Sequence, residues 1–80
     1  MSSILVVEDE ERIAAFVAKG LKAEGFTVTA VGDGITGLDY ATTGEFDLVV
    51  LDIGLPGLNG FDVLERLSAA RPDVKVIVLS

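Results

Sequence analysis

Phe46-Asp47-Leu48-Val49-Val50-Leu51-Asp52-Ile53-Gly54-Leu55-Pro56-Gly57-Leu58-Asn59-Gly60 is the stretch on which the fold turns. Four apolar residues stand in a row from Leu48 to Leu51. An unbroken run that short suits a strand covered on both faces, as in the middle of a parallel sheet. The run stops at Asp52, where a segment rich in Pro and Gly begins that a sheet interior does not tolerate. Asp52 is therefore expected at the carboxyl end of a central strand, where ligand sites of open α/β sheets form. A carboxylate there serves as a metal ligand, a general base or a nucleophile. The plainer alternative is that it ends the strand or caps a turn.

Working outward, Ile4-Leu5-Val6-Val7 is a second short apolar run that leads directly into Glu8-Asp9-Glu10-Glu11. The period then changes: Ile13, Phe16, Val17, Gly20, Leu21 and Glu24 fall on one face at helical spacing. Gly25 is placed to end that helix in the left-handed conformation. Phe26 to Val31 alternates and is rich in β-branched residues, as in a half-exposed edge strand. Asp33-Gly34 reads as a turn, and Ile35, Leu38 and Ala41 outline a weaker helix softened by Gly37 and ending near Gly44. After the central run, a helix from Asn59 or Gly60 has Phe61, Leu64 and Leu67 on its buried face, with Pro72 beyond its end. Val74 to Leu79 is the last strand, and it reads as buried.

The order β-α-β-α-β-α-β, with such short connections, implies right-handed crossovers onto one parallel sheet. If the chain turns outward from strand 1 to strand 2 and the other way for strand 3, the strand order is 2-1-3-4. The switch point then lies between the ends of strands 1 and 3, which carry Glu8-Asp9 and Asp52.

Composition narrows the chemistry. Eighty residues make one small domain, residues 1–80, with no linker or internal repeat. Half of the residues are hydrophobic, which marks a folding chain, and no apolar run approaches the ~18 residues of a membrane span. The absence of cysteine and histidine excludes disulfides, thiolate chemistry, imidazole catalysis and His-bound zinc. A net charge of −7 argues against direct nucleic-acid binding by this segment. Three carboxylates crowding one crevice require a cation or a bound proton. An oxygen-only donor set favours a hard ion, Mg²⁺ before Ca²⁺. Glu10 and Glu11 are explained by placement at a helix N-terminus. The acids after strand 1 would repel the pyrophosphate that a dinucleotide-binding Gly-rich turn holds. What remains is a carboxylate nucleophile beside Mg²⁺, suited to accepting a phosphoryl group.

Ile4-Leu5-Val6-Val7-Glu8-Asp9-Glu10, Asp52 within Leu51-Asp52-Ile53-Gly54-Leu55-Pro56-Gly57, and Asn59-Gly60-Phe61 closely resemble the receiver domain of bacterial two-component response regulators. The likeness is greatest to the subfamily with a winged-helix DNA-binding domain. The resemblance implies a cytoplasmic, flavodoxin-like, doubly wound domain that is not itself an enzyme but at most assists its own phosphorylation and dephosphorylation. It implies that Asp52 is the phosphoacceptor, loaded by a sensor histidine kinase. Asp9 would be a direct Mg²⁺ ligand, with Mn²⁺ a substitute, Glu8 would act through a metal-bound water, and the Gly54 carbonyl would complete the set. Ser80 matches the switch hydroxyl that turns to the phosphoryl group.

Against that family the chain is expected to be truncated after strand 4. On that expectation the fourth helix, the fifth strand with its phosphoryl-pairing lysine, the fifth helix and any DNA-binding effector domain would be missing. Strand 4 would then be an open edge, favouring a homodimer or other self-association through it. Two alternatives remain. One is a non-phosphorylatable folding or association fragment. The other is a haloacid-dehalogenase-type phosphotransferase, which wants a second acid where Gly54 stands.

Overall fold

The computed structural model describes residues 2–79. Its elements are β1 (Ser3–Val7), α1 (Glu11–Ala23), β2 (Thr27–Val31), α2 (Gly34–Thr43), β3 (Leu48–Asp52), α3 (Gly60–Ala70) and β4 (Lys75–Leu79). The four strands form one parallel sheet in the order β2-β1-β3-β4, as the short crossovers require. Val7 lies beside Val31 on one side and Leu51 on the other. The carboxyl ends of β1 and β3 are thereby level. No helix among the described residues is long and apolar enough to cross a membrane.

Because successive strand residues point to opposite faces, the apolar runs feed two cores. Leu5, Val7, Val49 and Leu51 meet Ala41 of α2 and Val63 and Leu67 of α3 on one face. Ile4, Val6 and Val50 meet Val17 and Leu21 of α1 on the other. Two helices cover the first face and one covers the second. β4 lies at the edge of the sheet, and Ile77 is 51% exposed there, so this strand is not buried as its sequence reads.

The helices occupy the expected positions but differ in rotation. α1 buries Ala14 and Ala18, with Val17 and Leu21 half-buried beside them, and Phe16 is 80% exposed. Its small residues face the sheet, and the stripe that includes Ile13, Phe16 and Gly20 is turned away. α3 buries Gly60, Val63 and Leu67, and Phe61 is 68% exposed rather than buried. α2 likewise buries Gly34, Gly37 and Ala41 while Ile35 is exposed.

Two glycines explain the rotation of α2 and α3. The Gly60 N–H donates to the Ile53 carbonyl at 2.8 Å, and a Cβ there would strike the Asp52 carbonyl and the Ile53 Cα. Gly34 donates to the Pro56 carbonyl at 3.2 Å, and a Cβ there would overlap the Leu58 carbonyl. With position 60 or 34 turned inward, a step of about 100° per residue turns the next residue out. Asp33 is no mere turn residue: its carboxylate caps α2, accepting from the Thr36 N–H at 2.9 Å. Gly25, at φ +93°, follows α1 as expected.

Candidate functional site

β1 delivers Glu8 and Asp9, and β3 ends on Asp52. The Glu8 N–H donates to the Val31 carbonyl at 3.0 Å, carrying the pairing with β2 one residue past the strand. Glu8 is only 5% exposed, Asp52 is half-buried and Asp9 is exposed. One carboxylate oxygen from each lies within 4.8 Å of the others. Glu8 Oε2 accepts from the Glu10 N–H at 3.2 Å, and Asp52 Oδ1 accepts from the Gly54 N–H at 3.2 Å.

Burial pushes the Glu8 carboxyl above the usual glutamate range. The Glu10 amide opposes that shift, and contacts with the Asp52 and Asp9 carboxyls add to it. Glu8 thus holds its proton more tightly than a free carboxyl does, and a cation at the same place relieves the same repulsion. Neither residues 8–11 nor residues 52–60 contain Lys or Arg. The ion pair among the described residues, Arg71–Asp73, involves none of the three acids. A groove of about 390 Å³ adjoins Glu8 and Asp9 and runs along Ala14, Ala18 and Val31. The donor set therefore fits a small divalent ion that prefers oxygen ligands and retains water.

The three acids read from separate strands are brought together as expected. Gly54 stands beside them, exposed, with its amide committed to Asp52. Glu11 lies in the first turn of α1, the helix-terminal placement expected for it. Ser80, expected as the switch hydroxyl, lies outside the described residues. Missed from sequence was the support of the segment after β3 by Gly34 and Gly60. Asn59, whose side-chain oxygen accepts from the Asp62 N–H at 3.0 Å, carried a usable signal as a cap ahead of an apolar helix.

Comparison with known proteins places this geometry. Residues 4–80 match the response regulator receiver domain. The transcriptional regulatory protein CusR of Escherichia coli (strain K12) is 38% identical over 77 residues, which are 96% of this chain and 34% of CusR. The chain thus spans about a third of the length of that curated relative. The crystal structure of response regulator protein TrrA from Thermotoga maritima in complex with Mg²⁺-BeF superimposes with a TM-score of 0.94 at 35% identity, over 98% of this chain and 68% of that one. TrrA in complex with histidine kinase ThkA superimposes with a TM-score of 0.93 at 35% identity, over 100% and 69% of the two chains. A response regulator from Burkholderia pseudomallei with a phosphorylated aspartic acid, a calcium ion and citrate gives a TM-score of 0.87 at 26% identity, over 98% and 46%. Strand order, acid cluster and family match agree: this chain belongs to the response regulator receiver domain family.

Proposed function

We propose that the chain is the phosphoacceptor module of a two-component relay, taking a phosphoryl group from a sensor histidine kinase onto Asp52. The observation that carries this reading is the convergence of Glu8, Asp9 and Asp52 at the switch point of the sheet. An Asp52 carboxylate oxygen attacks phosphorus, forming a P–O bond as the P–N bond of phosphohistidine breaks. The electron pair leaves with the imidazole, which takes up a proton. Asp9, Asp52 and the Gly54 carbonyl would hold Mg²⁺ or Mn²⁺, with Glu8 acting through a bound water. When bound, the ion supplies positive charge to the transferred phosphoryl oxygens. Ser80 follows β4 in sequence and is assigned the switch hydroxyl. Any assistance the domain gives to its own phosphorylation and dephosphorylation resides in this set.

The TrrA structures support the ion and the kinase as partner classes, and the Burkholderia structure supports aspartate as acceptor. CusR, a transcriptional regulatory protein, supports control of transcription as the output; a DNA-binding domain outside this segment and a cytoplasmic setting belong to the same proposal. The haloacid-dehalogenase alternative loses its second acid at Gly54 and finds no support in the family match. The test is incubation with acetyl phosphate and Mg²⁺. Wild type should gain one phosphoryl group by mass, and Asp52→Asn should gain none. Equal uptake by Asp52→Asn would exclude Asp52, and no uptake by wild type would favour a non-phosphorylatable association fragment.

A homodimer through the β4 edge belongs to the same proposal. β4 has no partner strand on its outer side among the described residues, and Ile77 and Val78 are exposed along it. Free N–H and C=O groups beside apolar side chains favour pairing with a second strand. Sedimentation at micromolar concentration should give a dimer, and a stable folded monomer would exclude it.

A further inference from the structure

The segment 53–59, which joins β3 to α3 and carries Gly54, is held from two sides. Gly60 grips its start through the hydrogen bond to the Ile53 carbonyl. Its far half leans on the first residue of α2: Gly34 donates to the Pro56 carbonyl, and the Leu58 carbonyl occupies the space a Cβ of residue 34 would need. That first turn of α2 is itself fixed. Asp33 caps it through the Thr36 amide, and Gly37 one turn on rests against Val7, where a Cβ would come within 2.6 Å of Val7 Cγ1. The segment cannot swing freely, because Leu55 is buried and Leu58 packs against the core.

We propose that Gly34 is a positioning residue for the acid cluster: its bare Cα sets where segment 53–59 lies, and through that segment the placement of Gly54 and Asp52. This rests on the reading of Glu8, Asp9 and Asp52 as a divalent-ion site. Gly34 touches none of the three acids by any contact described above. Its influence travels from the Leu58 carbonyl through Gly57, at φ +77°, and Pro56 to Gly54, whose amide binds Asp52 Oδ1. Residues that orient ligands without touching the ion typically govern metal affinity by ~10–100-fold.

The test measures Mn²⁺ affinity by paramagnetic resonance titration, together with backbone amide shifts, in Gly34→Ala and in Gly44→Ala. Gly44 ends the same helix at its opposite terminus and is also crowded: a Cβ there would lie 2.5 Å from Phe46 Cε2 and 2.6 Å from the Tyr40 carbonyl. Gly34→Ala should lose ~10–100-fold in Mn²⁺ affinity and displace the amide signals of Gly54, Leu55 and Leu58. Gly44→Ala should be destabilised yet bind as wild type does. Wild-type affinity in Gly34→Ala, or an equal loss in Gly44→Ala, overturns the inference. Wild type that binds no Mn²⁺ overturns the ion-site reading and the inference with it. Should Gly34→Ala not fold, Leu58→Ala loosens the same segment without a new clash, and wild-type affinity in that variant overturns the inference.

Discussion

Replacing Gly60 by alanine sets two ordinary effects against each other. Alanine is the better helix former by ~0.8–1.0 kcal/mol in a helix interior, so propensity alone predicts a more stable protein. Contact predicts the reverse. The added methyl would lie 2.5 Å from the Asp52 carbonyl oxygen and against the Ile53 Cα, both backbone atoms that no rotamer change can move. Forcing a methyl into a filled space costs ~1–3 kcal/mol. Stretching the Gly60–Ile53 hydrogen bond, now 2.8 Å, costs ~0.5–1.5 kcal/mol more. Contact wins, leaving a net loss of about 0.5–4 kcal/mol. For a domain this small that lowers Tm by roughly 4–8 °C per kcal/mol. Thermal unfolding followed by far-ultraviolet circular dichroism reads the shift. Gly20→Ala is the matched comparison, since a Cβ there meets nothing within 4 Å on the exposed side of α1. It should gain about 0.5–1 kcal/mol. If Gly60→Ala were as stable as wild type, the close approach of α3 to β3 would not be what rotates that helix.

Three further outcomes are expected. The folded protein binds the Glu8 proton more tightly than the unfolded chain, so this contribution to stability is fully present below the ordinary glutamate value and is lost as pH rises through the raised one. Urea unfolding across that window should show a shallower loss in Glu8→Gln, and identical slopes would deny the burial effect. Asn59→Ala removes the cap on α3 and should cost ~1 kcal/mol in the same unfolding assay, an unchanged midpoint arguing that water replaces the cap. Asp9→Asn should leave the fold intact, since Asp9 is exposed, and should weaken Mn²⁺ binding at least ~10-fold by calorimetry, with equal affinity removing Asp9 from the ligand set.

Much of this architecture is legible in the sequence because it depends on properties that single residues carry. Apolar runs ending in acids mark strand ends, and short crossovers then leave few sheet orders, so the sequence alone places Glu8, Asp9 and Asp52 together. Helix rotation is not legible in the same way. Ile35 and Phe61 are large and apolar, and periodicity assigns them to the core. The deciding residues are Gly34 and Gly60, which have no side chain to enter a hydrophobic pattern. A glycine at a helix start reads as a weak former or a turn, while here it marks where a helix touches another backbone. For β4, Val76 to Leu79 has the composition of a central strand, and composition does not say whether a neighbour lies beyond it.

The pairing of the strands also sets how long the acid cluster persists. β1 has a hydrogen-bonded neighbour on each side, and Leu5, Val6 and Val7 are fully buried; β3 is likewise flanked by two strands. Local opening costs little at frayed edges and approaches the full unfolding free energy at such central strands. Amide exchange should therefore be fast along the outer side of β2, and slowest in β1 and β3. Glu8, Asp9 and Asp52 stand at the ends of those two slow strands. Fluctuations that peel back an edge leave the ends of β1 and β3 level, and with them the backbone from which the three carboxylates project.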